Sequence, residues 1–141
     1  MLIIRYIDLE NWIMYKSKKE VDCPFCEICN IIAKNSLAIA LADKYPIAKD
    51  HTLIVPLRHT PSFFDLDSHE RNACLSLVDE MRRIILEKDK TVTGFNIGIN
   101  DGIDAGQTVF HSHIHIIPRR KGDVANPRGG VRNIIHNRGS Y

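Results

Sequence analysis

Long apolar runs are missing from this 141-residue chain. The opening MLIIRYIDLENWIMYKSKKE starts apolar but is broken by Arg5, Asp8 and Glu10, and charges so placed interrupt both a signal-peptide core and a bilayer span. A cytoplasmic protein that makes no membrane contact is expected. Internal repeats, low-complexity tracts and a Gly/Ser-rich linker are missing too, which argues against repeat arrays and tethered domains. Net charge is small, +2, so there is no general polyanion-binding signal and nucleic acid is not an expected partner. Cysteine is scarce, four in all, and three of the four stand together in CPFCEIC as Cys23, Cys26 and Cys29. In a reducing compartment that argues against a disulfide framework, whereas Cys-x-x-Cys spacing suits a metal or a redox pair.

What remains is ordinary globular composition, 44% apolar and 26% charged, in a chain of one domain's length with enough apolar side chains for a real core. The positive charge is uneven: Arg119, Arg120, Lys121, Arg128, Arg132 and Arg138 crowd the last 23 residues, a tail that either meets phosphates or is simply solvated. SLAIALAD and HTLIVPLRH read as strands joined by the loop KYPIAKD. The segment SHERNACLSLVDEMRRIILEKDK reads as one long helix. Cys74, Leu77, Val78, Met81, Ile84 and Ile85 recur at i, i+3, i+4, i+7, and Asp67 with Glu70 makes a capping-box start. GFNIGIN is a further strand, and DGIDAG, with Gly102 and Gly106, turns the chain into the next one. The order strand, strand, long helix, strand, strand predicts an α+β fold with an antiparallel sheet.

That last predicted strand lies in GQTVFHSHIHIIPRR and carries three of the seven histidines, His111, His113 and His115, at alternate positions. Period two is the side-chain period of a strand, so the imidazoles are expected on one face, about 6.6–6.8 Å apart, with Ser112, Ile114 and Ile116 on the other. Three titratable rings are costly to bury without partners. The strand alone leaves three readings open: a metal chelate, a nucleophilic histidine with helpers, or a His-rich surface strand. The flanks favour the second. NDGIDAGQTV supplies an amide, glycines and a hydroxyl suited to phosphate oxygens, Arg119 and Arg120 add positive charge, and neutral imidazole can attack phosphorus without a metal at the reaction centre.

The stretch from His111 to Ile117 resembles the histidine-triad pattern, His-x-His-x-His followed by two apolar residues. With GQTV before it and PR after it, it is similar to the dinucleoside polyphosphate hydrolase, or fragile-histidine-triad-like, branch of that superfamily. ADKYPIAKDHTLIVPLRH resembles the family's earlier strand-loop-strand. The resemblance runs from about Val21 to Arg119. It implies residues 21–141 as one domain including the basic tail, residues 1–20 as an extension, a short N-terminal helix besides the long one, and a homodimer. It also implies cleavage of a phosphoanhydride in a dinucleoside polyphosphate through a nucleotidyl-His113 intermediate, with a purine nucleotide as substrate. A nucleoside phosphoramidase, or a nucleotide-binding protein with incidental catalysis, are the alternatives.

Carried over by motif, His113 is the nucleophile, His115 contacts the transferred phosphate, and His111 and Gln107 complete the catalytic set. Gly106, Gln107, Thr108 and Val109 line the substrate, with Gln107 and Thr108 on the phosphate or leaving group. Asn100 matches a substrate-contacting amide, Asp43 a residue for ribose hydroxyls, and His51 a histidine supporting the triad from the neighbouring strand. Asp50 stands where a glycine usually precedes that histidine, and Ser112 replaces an apolar residue. Some members hold zinc, and the matching set here is Cys23, Cys26, His59 and His111, a closed Cys₂His₂ structural site that makes His111 a ligand rather than an acid or base. The chemistry itself needs no cofactor. Against this, CPFCEIC can be read as a reduced, metal-free patch. Similar tails lie near the substrate pocket, which would bring Arg128 or Arg132 to the distal phosphates or second nucleoside.

Overall fold

The computed structural model describes residues 23–27, 30–136 and 138–139. The expected N-terminal extension lies outside them, and so does Cys29. Residues 23–27 contain a turn over 24–26; the expected short N-terminal helix also lies outside the described residues.

Five strands form one antiparallel sheet: β1 Ile31–Lys34, β2 Ala38–Ala42, β3 Thr52–Pro56, β4 Val92–Gly98 and β5 Ile114–Arg120, in the spatial order β1-β2-β3-β5-β4. The long helix, α1, runs Ser68–Lys88. Its start is the predicted capping box: the Asp67 carboxylate accepts from the Glu70 N–H at 2.9 Å, and Glu70 accepts from the Asp67 N–H at 2.9 Å. Glu70 also takes a two-pronged bond from Arg58, 2.7 Å on each oxygen, which ties the chain just after β3 to the helix N-terminus. Two expectations change. β1, four residues long, pairs with β2 and was not foreseen. The triad strand begins only at Ile114, so His111 and His113 precede the ladder and His115 alone lies in it.

Alternation divides the sheet into two faces. Ala38, Ala40, Ile54, Ile114 and Ile116 face α1, meeting Cys74, Leu77, Val78, Met81 and Ile85. The alanines are small enough to let the helix close on the sheet. Ile39, Leu41, Leu53 and Val55 point the other way and pack with Phe25, Ile31 and Leu57. His115 lies opposite Leu53 in the β3–β5 register, which puts its ring on the face away from α1. The same parity puts His51 there, two residues before Leu53. One side of the sheet makes the main core, and the other carries the titratable groups. No helix among the described residues is long and apolar enough to cross a membrane.

Candidate functional site

Two residues after the Cys-x-x-Cys turn begins, Phe25 reaches the histidines. Its ring stands edge-on to His113 at 4.9 Å and to His111 at 6.1 Å, centroid to centroid. His113 in turn meets His115 at 5.0 Å, and His115 meets His51 at 5.3 Å. The predicted residues therefore form a continuous line from Cys23 and Cys26 through His111, His113 and His115 to His51 and Asp43.

Each ring's proton can be assigned from its neighbours, because a carbonyl only accepts and a backbone N–H only donates. The Nε2 of His111 lies 2.8 Å from the Pro56 carbonyl and must donate to it, so Nδ1 holds a lone pair. That lone pair faces Cys23 Sγ at 3.5 Å and Cys26 Sγ at 3.6 Å, while His59 Nδ1 lies 3.4 Å from Cys26 Sγ. The four ligand atoms all lie within 4.8 Å of one another. A tetrahedral zinc with bonds of about 2.3 Å to sulfur and about 2.0–2.1 Å to nitrogen has S···N edges of about 3.5–3.6 Å, so these residues fit the metal, down to the carbonyl that fixes the imidazole of His111. Burial pushes the His111 ring down to about 4, keeping it neutral as a ligand must be.

His113 donates from Nδ1 to the carbonyl of His111 at 2.8 Å. Its Nε2 is thereby left with the lone pair a nucleophile needs. At His51 the assignment is reversed: the Ile47 N–H points at Nδ1, 3.3 Å away, so Nε2 carries the proton. Within reach of that proton are His115 Nδ1 at 3.0 Å and Asp43 Oδ2 at 3.4 Å. Asp43, His51 and His115 are also close enough to hold a metal, yet a histidine bound to metal through Nε2 must carry its proton on Nδ1, where the Ile47 N–H already points. The trio is built for passing hydrogen bonds instead. Burial lowers His51, with Asp43 opposing, and pushes His115 down to about 4.

The loop between β4 and β5 holds the remaining predicted residues. Gly102 and Gly106 adopt φ of +96° and +86° around the 3-10 turn Ile103–Ala105, conformations that favour glycine. Gln107 is buried, and its amide accepts from the Gly102 N–H at 2.8 Å while donating to Pro61 O at 2.7 Å and Val109 O at 3.1 Å. In this conformation it shapes the loop, with both of its N–H groups turned to main-chain carbonyls. Thr108 is exposed, Val109 and Asn100 half-buried. Asp101 binds Ser62 Oγ and the Phe63 N–H, at 2.9 and 2.8 Å, linking this loop to the approach to α1. Ser112 is buried and donates its N–H to Thr60 O at 2.7 Å. In the tail, the Arg132 Nε donates to Gly139 O at 3.3 Å, and the 3-10 turn Gly130–Ile134 lies against β4.

Sequence reasoning missed Phe25, the Ile47 N–H and the Pro56 and His111 carbonyls. Phe25 had a signal, an aromatic between two candidate ligands; main-chain groups have none.

A family model described as HIT domain matches residues 27–122. Among curated proteins, the chain is 40% identical over 95 residues to a bis(5'-nucleosyl)-tetraphosphatase [asymmetrical] of Schizosaccharomyces pombe, covering 67% of this chain and 52% of that one. It is 32% identical over 108 residues to adenylylsulfatase HINT3 of Arabidopsis thaliana, covering 72% and 54%. The chain thus spans about half the length of these two relatives. Among solved structures, a Zn-bound histidine triad family protein from Mycobacterium smegmatis superposes with a TM-score of 0.68 at 32% identity, covering 74% of this chain and 80% of that one.

Proposed function

We propose, on the premise that the chain belongs to the HIT-domain family, that it hydrolyses a phosphoanhydride of a dinucleoside polyphosphate through a nucleotidyl-His113 intermediate. The observation that carries this reading is the hydrogen bond from His113 Nδ1 to the His111 carbonyl, which leaves Nε2 unprotonated. In the first step Nε2 forms a bond to phosphorus as the bridging P–O bond breaks, and the electron pair leaves on the departing nucleotide. His115, in the tautomer that accepts from His51 on Nδ1 and carries its proton on Nε2, donates a hydrogen bond to the transferred phosphate. In the second step water forms a bond to phosphorus as the P–Nε2 bond breaks; the water's proton passes to solvent, the bond pair returns to Nε2, and a nucleoside monophosphate leaves neutral His113. Asp43 holds sugar hydroxyls, Asn100, Gly106 and Thr108 line the phosphates, and Gln107 keeps their loop in shape. The tetraphosphatase name of the fission-yeast relative supports this substrate class.

Turnover of diadenosine polyphosphates beside adenosine phosphoramidate tests the reading. A clear preference for the polyphosphate is expected; a large preference for the phosphoramidate would overturn it. His113→Ala should lower turnover by roughly 10⁴–10⁶-fold, the range for deleting a nucleophile, with nucleotide binding largely kept. Alkaline quenching should trap label on His113 of the wild type.

Zinc at Cys23, Cys26, His59 and His111 would be structural, tying the N-terminal turn to the sheet. Metal analysis should find about one zinc per chain, and Cys23→Ser should lose metal and melt lower while keeping some activity. Unchanged melting in that variant would return CPFCEIC to a reduced, metal-free patch.

A further inference from the structure

The Nε2 of His51 hydrogen-bonds to His115, and the Asp43 carboxylate stands beside it as a second, charged neighbour within ion-pair distance. The Ile47 N–H occupies its Nδ1 at 3.3 Å, so Nε2–H is the only donor the ring has while it is neutral, and burial keeps it lowered. Against that donor stand His115 Nδ1 at 3.0 Å and Asp43 Oδ2 at 3.4 Å. The other Asp43 oxygen already accepts from the Tyr45 N–H at 2.8 Å. When His51 donates to His115, Nδ1 of His115 is an acceptor, and its single proton must sit on Nε2, a buried atom with no partner among the described protein residues. When His51 turns to Asp43, nothing fixes the tautomer of His115.

We propose that a sugar diol bound at Asp43 switches this hydrogen bond, so that the substrate's hydroxyl groups lock His115 into its phosphate-donating tautomer. Hydroxyls donating to the carboxylate occupy its lone pairs and weaken its hold on the His51 proton, which then goes wholly to His115. Both rings stay neutral: the His51 N–H changes acceptor, and any His115 protonated on Nδ1 gives that proton to solvent and takes one from solvent on Nε2. The sugar is thereby read as rate, since a substrate lacking a hydroxyl leaves Asp43 competing for His51 during the chemical step. The inference rests on the proposed hydrolysis, and it makes Asp43 and His51 positioning residues for His115.

The kinetic test compares a dinucleoside polyphosphate with its deoxyribose counterparts on the wild type and on His51→Gln. In the wild type, losing a hydroxyl should lower kcat about tenfold, the rate equivalent of one hydrogen bond, with a smaller change in KM. Glutamine resolves the competition because its amide has two N–H groups and can serve Asp43 and His115 together. His51→Gln should therefore show nearly equal kcat on ribose and deoxyribose substrates. A deoxy effect confined to KM, or one that persists in kcat in His51→Gln, overturns the switch.

A second measurement needs no turnover. Nitrogen-15 shifts of the His115 ring, recorded on wild-type protein with adenosine monophosphate and with its 2′,3′-dideoxy analogue, should show a firmly protonated Nε2 only with the diol. Equal spectra with the two nucleotides, or no response to either, would also overturn it. Failure to hydrolyse any polyphosphate would remove the parent reaction while this tautomer measurement still decides the switch.

Discussion

At the residue scale, Asp50 accounts for one departure from the family pattern. Its φ is +65°, in the left-handed region where glycine is at ease and aspartate is tolerated better than most. The carboxylate gains Lys88 at 2.6 Å and Arg120 at 3.7 Å, and its carbonyl accepts from Thr52 Oγ1 at 2.9 Å. Asp50→Gly should change stability by less than about 0.5 kcal/mol, strain relief offsetting an exposed ion pair. Asp50→Val should lose about 1–2 kcal/mol, because a branched residue pays the left-handed conformation in full. Urea melts of the two variants give the comparison. His115 gives a pH prediction. Burial lowers it from the ordinary 6.5 to about 4, so below pH 6.5 the unfolded chain binds a proton that the folded chain refuses. Stability is complete above that value, falls as pH drops from about 6.5 to 4, and then levels as far as this group is concerned. His115→Asn should show a shallower acid loss in the same window; an unchanged slope would exclude His115 as its source.

At the element scale, the helix was legible because spacing and cap agreed. The predicted apolar stripe is the buried stripe, and Asp67 and Glu70 cap as their positions imply. Glu70→Ala should cost about 1–2 kcal/mol, since it removes half of the capping box and the carboxylate partner of Arg58, measurable as a lower urea midpoint. Less legible was the start of β5. Period two describes any extended chain whether or not it is hydrogen-bonded to a neighbour, so HSHIH could not tell that only its last histidine joins the ladder. β1 escaped because four residues, IIAK, are too few to show a pattern. The candidate site was legible where side-chain chemistry recurs in the letters, as in the triad and the paired cysteines. It was not legible where Gln107 turns its amide inward, or where the Ile47 N–H chooses a tautomer.

At the scale of the whole molecule, the sheet ends in unequal edges. β1 is four residues long, whereas β4 runs for seven at the other edge, and long edges invite pairing. The groove between α1 and β4, lined by Arg82, Leu86, Phe95 and Ile97, opens beside it, with Ile97 44% exposed. We predict that the expected homodimer pairs through β4. Light scattering should give twice the chain mass, and Ile97→Lys should shift it toward monomer. A wild-type monomer at micromolar concentration would remove the expectation.

The His111 main chain and ring serve different masters: the ring belongs with the cysteines, while the carbonyl holds His113. Mutational scanning replaces rings and leaves carbonyls, so the alanine variant would report on the first duty and stay silent on the second. A backbone-editing experiment that replaces the amide after residue 111 with an ester weakens that carbonyl as an acceptor and also deletes the Ser112 N–H bond to Thr60 O, so the carbonyl's duty is heard in activity lost beyond the accompanying loss of stability.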